Sequence, residues 1–262
     1  MSQNRIDRAF GRLKQAGRAG LIPFLAAGDP SLEVTADLVR EFEARGADLV
    51  ELGVPFSDPL ADGPVIHAAG TRALAAGATL HHVLEVGARL AHRLPVVLMC
   101  YANPMLARGI ERFADELAVR RISGLIVPDL PLEEAPAVLA ACDAAGVALV
   151  PLAAPTTPDD RLAAIGAHAR GFLYTVAVTG TTGERSGGDA AELIARAKAS
   201  TNAPVALGFG ISTPEQARAA ADAGADGVIV GSRLVRAAAE AGGDPAAAVG
   251  EVVAELAAGL AR

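Results

Sequence analysis

The sequence has few aromatic residues, only two cysteines and no excess of basic residues. Each of these shortages excludes some kinds of core, site or binding partner. Only 3% of the 262 residues are aromatic and none is tryptophan, while 52% are hydrophobic, so the core has to be built from Ala, Val, Leu and Ile. The formal net charge of -7 leaves no basic footprint for nucleic acid or an anionic membrane. We therefore expect a protein that acts on a small molecule and holds any phosphate at a local site.

The two cysteines, Cys100 and Cys142, are far apart in apolar sequence and lack the spacing of a metal or redox site. They are read as core thiols in a reducing compartment, which predicts a cytoplasmic protein. No stretch reaches the roughly 18 apolar residues of a membrane span. Near the start, Ile6, Phe10 and Leu13 recur at helical spacing and predict a docking helix rather than a targeting segment.

Short β-branched runs alternate with helical segments along the whole chain. Eight such runs begin near residues 21, 47, 95, 124, 147, 171, 204 and 227. Repeated βα units favour a parallel sheet, and eight of them favour closure into a barrel. The fold class is therefore α/β: residues 1–262 are predicted to form a single domain, an eight-stranded parallel (β/α)8 TIM barrel with an extra N-terminal helix. Ser31 and Thr213 are predicted to start helices, and residues 245–260 to form a closing helix.

A carboxylate, Glu51, interrupts the second predicted strand where an apolar residue is expected. When the segment around Glu51 is compared with similar segments of the same chain, Ile229 and Val127 occupy its position. An unpaired charge in a core costs several kcal/mol or takes up a proton. Such a residue is usually retained for chemistry.

Two of the intervals between predicted strands are longer than the others, and both carry extra length after a strand. Residues 51–64 include a proline-rich loop with Asp58 and Asp62, and residues 178–188 are rich in Gly and Thr. In an α/β barrel the loops after the strands form the active-site rim. We interpret the second loop as a mobile lid, with an ordinary surface loop as the alternative.

Glycines at the ends of the last two predicted strands indicate a phosphate site. They lie in Gly208-Phe209-Gly210 and in Gly231-Ser232, where the backbone can approach a ligand and a helix begins. A phosphate site opposite Glu51 and Asp62 suggests a small phosphorylated substrate undergoing proton transfer at carbon. The more enclosed Glu51 would have a raised pKa and act as acid and base, while Asp62 stays charged.

The histidines give less evidence of a functional site, since none has a partner at metal-ligand spacing. His67 follows the acidic loop and is open to two interpretations, a residue lining the site or one that caps or packs a helix. We find no Ser-His-Asp or Cys-His constellation, no P-loop and no dinucleotide fingerprint. No cofactor or metal is expected.

Five segments of the chain carry a more specific signal. They are residues 51–66, residues 23–30, residues 99–104, Pro128-Asp129-Leu130-Pro131 and residues 208–212. Together they closely resemble the tryptophan synthase alpha subunit family, nearly end to end. The resemblance implies an eight-stranded α/β barrel and a carbon–carbon lyase of tryptophan biosynthesis. Its reaction is the retro-aldol cleavage of indole-3-glycerol phosphate to indole and D-glyceraldehyde 3-phosphate.

The same resemblance implies roles for individual residues. Glu51 would protonate indole C3 and handle the glycerol hydroxyl proton, and Asp62 would hold the indole N–H. Tyr174 matches the catalytic tyrosine of the family. The substrate-binding residues implied in this way are Phe24, Tyr101, Gly183, Phe209, Gly210, Gly231 and Ser232.

A partner is also implied by the resemblance, because the alpha subunit of the family works in an alpha-beta-beta-alpha complex. Pyridoxal phosphate is expected only on that beta subunit. The residues that would face it are Pro55, Phe56, Asp58, Asn103 and Asp129. The chain departs from the family at Ala177-Val178, where many members have Ser-Arg, and at His67, where Gln is common. These departures bear on lid closure and its coupling to the partner.

Three alternatives to this function stay open at the level of sequence. The first is a stand-alone indole-releasing lyase that needs no beta subunit. The second is a non-catalytic activating barrel, against which the presence of both Glu51 and Asp62 argues. The third is a sugar-phosphate isomerase barrel, which would need no indole pocket.

Overall fold

The computed structural model describes residues 4–176, 187–208 and 210–261. Within these residues nine parallel strands form one sheet. They are β1 (Gly20–Ala26), β2 (Val50–Gly53), β3 (Val96–Met99), β4 (Gly124–Ile126), β5 (Ala148–Leu149), β6 (Leu152–Ala153), β7 (Leu173–Val176), β8 (Val205–Gly208) and β9 (Gly227–Val230). Their order in the sheet is β5-β4-β3-β2-β1-β9-β8-β7-β6.

The sheet closes because its two outermost strands are halves of one extended segment, residues 148–153. The first half bonds to β4, with the Val150 N–H donating to Leu125 O, and the second half bonds to β7, with the Tyr174 N–H donating to Pro151 O. Pro151 lies at the switch and has no N–H to donate, so the ladder is interrupted there. The predicted eight-stranded barrel is confirmed, with its fifth strand divided in two.

Helices surround the sheet between the strands. They are α1 (Arg5–Ala16), α2 (Leu32–Ala44), α3 (Pro64–Ala75), α4 (Leu80–Leu90), α5 (Ala102–Arg108), α6 (Ile110–Val119), α7 (Ala135–Ala145), α8 (Asp159–His168), α9 (Gly187–Ser200), α10 (Pro214–Asp222), α11 (Ser232–Glu240) and α12 (Pro245–Leu260), with a short 3-10 helix at Leu132–Glu134. The long interval after β2 holds the acidic loop and two helices, α3 and α4. The second long loop, the predicted lid of residues 178–188, lies outside the described residues from 178 to 186, as does Ala177, and its last two residues begin α9.

Local sequence chemistry explains where several helices begin. The Ser31 side chain accepts a hydrogen bond from the Val34 N–H at the start of α2. Thr213 forms a capping box with Gln216 at the start of α10, and Pro214 occupies the first turn. α12 spans the predicted residues 245–260 and is capped by Asp244. These predicted helix starts are confirmed.

Side chains alternate between the barrel interior and the layer under the helices. Leu49 belongs to the interior cluster, whereas Val50 and Leu52 pack beneath the helices, so Glu51 points into the barrel. Ile229 is an interior residue, as the internal comparison predicted. Val127 is not: it packs in the outer layer, so its assignment as a counterpart of Glu51 was wrong by one residue.

The N-terminal helix closes the barrel at its lower end. Ile6, Phe10 and Leu13 are buried on one face of α1 and join the interior cluster. Phe10 packs against Phe172 with ring centroids 5.7 Å apart. The docking helix predicted from this spacing is confirmed, and the open end of the barrel is left at the carboxyl ends of the strands.

Candidate active site

A cavity of about 380 Å³ opens at the carboxyl ends of the strands. Its wall is built by residues from the interior faces of the strands and the loops that follow them. They are Phe24, Glu51, Ala61, Asp62, Gly63, Ile66, Met99, Pro128, Leu152, Tyr174, Val176, Gly210, Ile211, Ser212, Ile229, Gly231, Ser232, Arg233 and Arg236. The volume suits a small ligand, and the position is the active-site end of an α/β barrel.

Glu51 lies on the interior wall of this cavity. Glu51 is only 1% exposed, and neither of its carboxyl oxygens has a hydrogen-bond partner within the described residues. Burial, with a smaller contribution from the negative charge of Asp62, raises the pKa of Glu51 to about 8. At neutral pH the group is mostly protonated and able to give a proton to a ligand.

Asp62 reaches the same cavity from the loop between β2 and α3. The Tyr101 hydroxyl donates a hydrogen bond to the Asp62 carboxylate at 2.8 Å and accepts one from the Ala61 N–H at 3.0 Å. Burial raises the pKa of Asp62, while the Tyr101 hydrogen bond and the nearby His67 act in the opposite direction. The hydrogen bond and the imidazole therefore favour the charged form of Asp62.

Tyr174 lies on β7 and lines the cavity with its buried ring. Burial, and secondarily the charge of Glu51, raises its pKa well above the usual value, so the phenol stays neutral. Gly208 on the neighbouring β8 leaves room for this ring, because a Cβ there would lie 2.5 Å from the Tyr174 hydroxyl oxygen. Gly208, one of the glycines interpreted from the sequence as part of a phosphate site, is thus in contact with Tyr174.

The far end of the cavity is formed by Gly210, Gly231 and the first turn of α11. Gly210 has a φ of 78°, a conformation that glycine adopts without strain. No side chain caps α11 at Gly231, so the positive end of the helix faces the cavity beside Ser232. The structure thus brings Gly210, Gly231 and Ser232 together as predicted.

Two arginines at this end escaped the sequence analysis as site residues. Arg233 and Arg236 line the cavity, and within the described residues neither side chain has a hydrogen bond or ion pair. A cation in the first turn of a helix opposes the helix dipole. That conflict at Arg233 was the signal available in the sequence.

Apolar side chains form the opposite wall. Phe24 lines the cavity as predicted and packs against helix α3 and helix α11, through Ala69 and Val235. Ile66, Met99 and Leu152 also line it but had not been singled out from the sequence. Such residues resemble any other core residue until the fold shows which of them face a cavity.

Several predicted site residues are placed differently or not at all. Tyr101 is not part of the cavity wall; it acts on Asp62 from behind the loop. His67 is exposed on α3 and lies near Asp62 without lining the cavity. Gly183 and Phe209 lie outside the described residues.

The predicted partner-facing residues lie around the same end of the barrel. Phe56 stacks on Tyr101 with ring centroids 5.1 Å apart, and Asp129 accepts a hydrogen bond from the Ala102 N–H at 2.8 Å at the start of α5. Asp58 and Asn103 are exposed, and Pro55 is partly exposed. These residues follow β2, β3 and β4, so they share one rim beside Asp62.

Three further observations on the described part of the chain concern metal ligands, thiols and membrane-spanning helices. No group of three or more potential metal-binding side chains occurs there. Cys100 and Cys142 are both free and buried, as core thiols would be. None of the described helices has the length and apolar character needed to cross a membrane.

Comparison with known proteins agrees with this arrangement. The family model for the tryptophan synthase alpha chain matches residues 10–260. A tryptophan synthase alpha chain of Prochlorococcus marinus (strain MIT 9313) is 52% identical over 235 residues, covering 88% of this chain and 86% of the relative. The alpha chain of Synechococcus sp. (strain CC9902) is 51% identical over 252 residues, covering 94% of each.

Solved structures give the same result at the level of the fold. The alpha subunit of tryptophan synthase from Legionella pneumophila superposes with a TM-score of 0.92 at 37% identity, covering 98% of each chain. A structure of Mycobacterium tuberculosis tryptophan synthase matches with a TM-score of 0.92 at 37% identity, covering 100% of each chain. The chain belongs to the tryptophan synthase alpha chain family.

Proposed function

We propose that Glu51 and Asp62 carry out the reaction of this family in this chain. That reaction is a carbon–carbon lyase step of tryptophan biosynthesis, the retro-aldol cleavage of indole-3-glycerol phosphate to indole and D-glyceraldehyde 3-phosphate. One observation carries the assignment: a buried carboxyl with no partner within the described residues, Glu51, faces the same cavity as the carboxylate of Asp62. The alpha chain of this family needs no cofactor of its own.

Proton transfer begins at Glu51. Its carboxyl, protonated at neutral pH, gives a proton to C3 of the indole ring, which becomes a cationic indoleninium-like ring. The resulting Glu51 carboxylate then takes the proton of the glycerol hydroxyl next to the ring. As that oxygen becomes the aldehyde carbonyl, the carbon–carbon bond breaks and its electron pair returns to the ring, giving indole and regenerating protonated Glu51.

Asp62 supports this step electrostatically. Its carboxylate accepts a hydrogen bond from the indole N–H and stabilises the positive charge that appears on the ring. The Tyr101 hydroxyl fixes the orientation of this carboxylate. The neutral phenol of Tyr174, on the wall beside Glu51, donates a hydrogen bond to a substrate hydroxyl.

The polarity of the cavity wall determines where the indole ring and the phosphate of the substrate bind. The indole ring lies against Phe24, Met99 and Leu152, and the phosphate lies at the start of α11. There the backbone of Gly210 and Gly231 and the side chain of Ser232 hold its oxygens, with Arg233 and Arg236 supplying positive charge. The roles of Gly183 and Phe209 in substrate binding stay predictions.

The partner in this family is a beta subunit, and the rim of Pro55, Phe56, Asp58, Asn103 and Asp129 is the surface we assign to it. Its continuity with the Asp62 loop, through the Phe56–Tyr101 stack, supports the assignment. Residues 1–262 act as a single catalytic domain in this proposal. The cytoplasmic location expected from the sequence stays a prediction.

The test is an indole-release assay on the purified chain, alone and with a beta subunit. Glu51→Gln is expected to lower indole release by roughly 10²–10⁴-fold, the range of general acid–base catalysis, while circular dichroism shows an intact barrel. Near-normal turnover by the folded variant would refute the role of Glu51. A wild-type chain whose turnover does not respond to the beta subunit would instead support the stand-alone lyase.

A further inference from the structure

A second cavity, of about 340 Å³, opens at the opposite end of the barrel. The residues that line it are Arg5, Arg8, Arg12, Ala47, Asp48, Arg93, Leu94, Pro95 and Arg121. Asp48, Pro95 and Arg121 all precede the strands to which they lead, so this cavity lies at the amino ends of the strands. It is separated from the active site by the packed barrel interior.

Five of the nine lining residues are arginines, and the fold brings them there from three places. Helix α1 presents Arg5, Arg8 and Arg12 at spacings of three and four, which share one helix face. The inward face of α1 is buried in the barrel, so the orientation of the helix, and with it the face that carries these arginines, is fixed. Arg93 follows α4, and Arg121 lies in the turn before β4.

The protein neutralises only part of the positive charge in this arginine pocket. Asp48 is bound by Arg18 at 2.7 Å, and Arg93 is paired with Glu43 at 2.6 Å. The side chains of Arg8, Arg12 and Arg121 have no hydrogen bond or ion pair within the described residues.

The arginines also influence one another. Burial lowers the pKa of Arg5, and the positive charges of Arg121, Arg8 and Arg12 lower it further. Arg121 has a φ of 61°, in the left-handed region where glycine is favoured. The pocket thus keeps a concentration of like charges, at some conformational cost, in a chain whose net charge is -7.

We propose that the arginine pocket binds a compact anion carrying two linked phosphate groups, such as pyrophosphate or a nucleoside diphosphate. Guanidinium groups pair with phosphate oxygens through two parallel hydrogen bonds. Three unpaired arginines and Arg5 match the charge of a diphosphate better than that of one phosphate group. A cavity near 340 Å³ is at the small end of ligand sites, which also favours a compact anion.

Titration calorimetry in phosphate-free buffer tests this with pyrophosphate, ADP and orthophosphate as probes. The pocket variant is Arg8→Gln/Arg121→Gln, and the charge-matched control is Arg40→Gln/Arg218→Gln, on α2 and α10. We expect pyrophosphate and ADP to bind the wild type and the control, and to bind the pocket variant about tenfold more weakly or worse, because charged hydrogen bonds are lost. Orthophosphate is expected to bind the wild type more weakly than either.

Equal binding of pyrophosphate by all three proteins, or binding by none of them, would overturn the proposal. So would a loss of binding in Arg233→Gln alone, since that places the anion in the active-site cavity. Arg8 and Arg121 are exposed and unpaired, so the pocket variant is expected to keep its fold and its indole release. Pyrophosphate should then raise the Tm of the wild type and the control but not that of the pocket variant.

Discussion

Glu51 and Asp62 share one cavity, but their surroundings give them different proton affinities. Glu51 has no hydrogen-bond partner within the described residues and is held in the interior, whereas Asp62 accepts a hydrogen bond from Tyr101. The first environment penalises charge, and the second partly compensates it. Two groups of the same chemical type can therefore act as a proton donor and as a fixed negative charge.

The raised pKa of Glu51 predicts a specific pH dependence of stability. Below the usual value of 4.5 the carboxyl is protonated in both states; as the pH rises from 4.5 to about 8, only the unfolded chain has lost the proton. The free energy of unfolding of the wild type should therefore fall over this window, relative to that of Glu51→Gln, by roughly 4 kcal/mol. Chemical denaturation of both proteins between pH 5 and 9 measures the difference.

Carboxylates remote from Glu51 titrate equally in both proteins, so the difference between the two curves reports Glu51 together with its coupling to Asp62. Parallel curves across this range would show that the carboxyl is not desolvated as the structure indicates. A difference that opens only below pH 4.5 would be equally inconsistent with a raised pKa.

Tyr101→Phe tests whether Tyr101 acts through Asp62 rather than on the substrate. The variant loses the hydroxyl that donates to the carboxylate, so the pKa of Asp62 should rise further and the acidic limb of the pH–rate profile should move to higher pH. We expect kcat to fall by about tenfold near neutral pH, the cost of one hydrogen bond to a charged group. A lower kcat with an unshifted profile would indicate a merely structural role.

At the scale of the element, α11 combines two opposing features. Its uncapped start faces the cavity and attracts an anion, yet Arg233 places a cation in the first turn. Without a bound phosphate this arrangement is unfavourable, and with one the arginine and the helix dipole act together. Under the proposed function, the helix gives up stability in the free enzyme in favour of substrate binding.

Arg233→Gln should separate these two effects. Removing the cation from the first turn is expected to stabilise the free protein by about 0.3–1 kcal/mol. The same change should raise the KM for indole-3-glycerol phosphate several-fold and leave kcat nearly unchanged, because the phosphate is remote from the reacting carbons. Thermal unfolding and steady-state kinetics measure the two effects, with Arg218→Gln on α10 as the control.

A higher KM without any gain in stability would leave only the binding half of this account. An unchanged KM would mean that Arg233 lines the cavity without reaching the phosphate. The control, Arg218→Gln, is expected to change neither the KM nor the stability appreciably, because its residue is on a helix outside the cavity wall.

Much of the element level could be predicted from sequence, because caps and apolar periodicity are local. Ser31, Thr213 and the span of α12 follow from such patterns. The division of the fifth strand could not, since it depends on which neighbour each half of residues 148–153 meets. The assignment of Val127 failed for a related reason: a strand segment read alone does not fix which alternate residues face the interior.

The same limit applies to prediction of the site. Features of the local sequence could be recognised, whereas contacts between distant parts of the chain could not. Glu51 stood out because a charge interrupts an apolar run, and the glycines stood out as turn residues. The supporting role of Tyr101 depends on a hydrogen bond to a residue 39 positions away. The arginines of α1 gain their meaning only when Arg93 and Arg121 are brought beside them by the barrel.

On the scale of the whole molecule, the two ends of the barrel present different surfaces. The amino end carries α1 and the arginine pocket, and the carboxyl end carries the cavity and the rim around Asp62. Large exposed apolar side chains occur at this rim, with Leu60 exposed by 93% and Leu106 by 55%. Apolar residues exposed beside an active site are typical of a surface that a partner covers.

Leu60→Ser should therefore weaken binding of the beta subunit while leaving the isolated chain unaffected. Leu60 makes no buried contact to lose, since it is 93% exposed, and it lies on the loop that carries Asp62. Loss of one fully buried leucine side chain from an interface corresponds to about 2 kcal/mol, or roughly thirtyfold in Kd.

The matched control is Val119→Ser, whose residue is 81% exposed at the end of α6, before β4 and so toward the amino ends of the strands. Calorimetry with a beta subunit should show weaker binding for Leu60→Ser alone, with indole release by the lone chain equal in all three proteins; equal affinities would place the partner on another face.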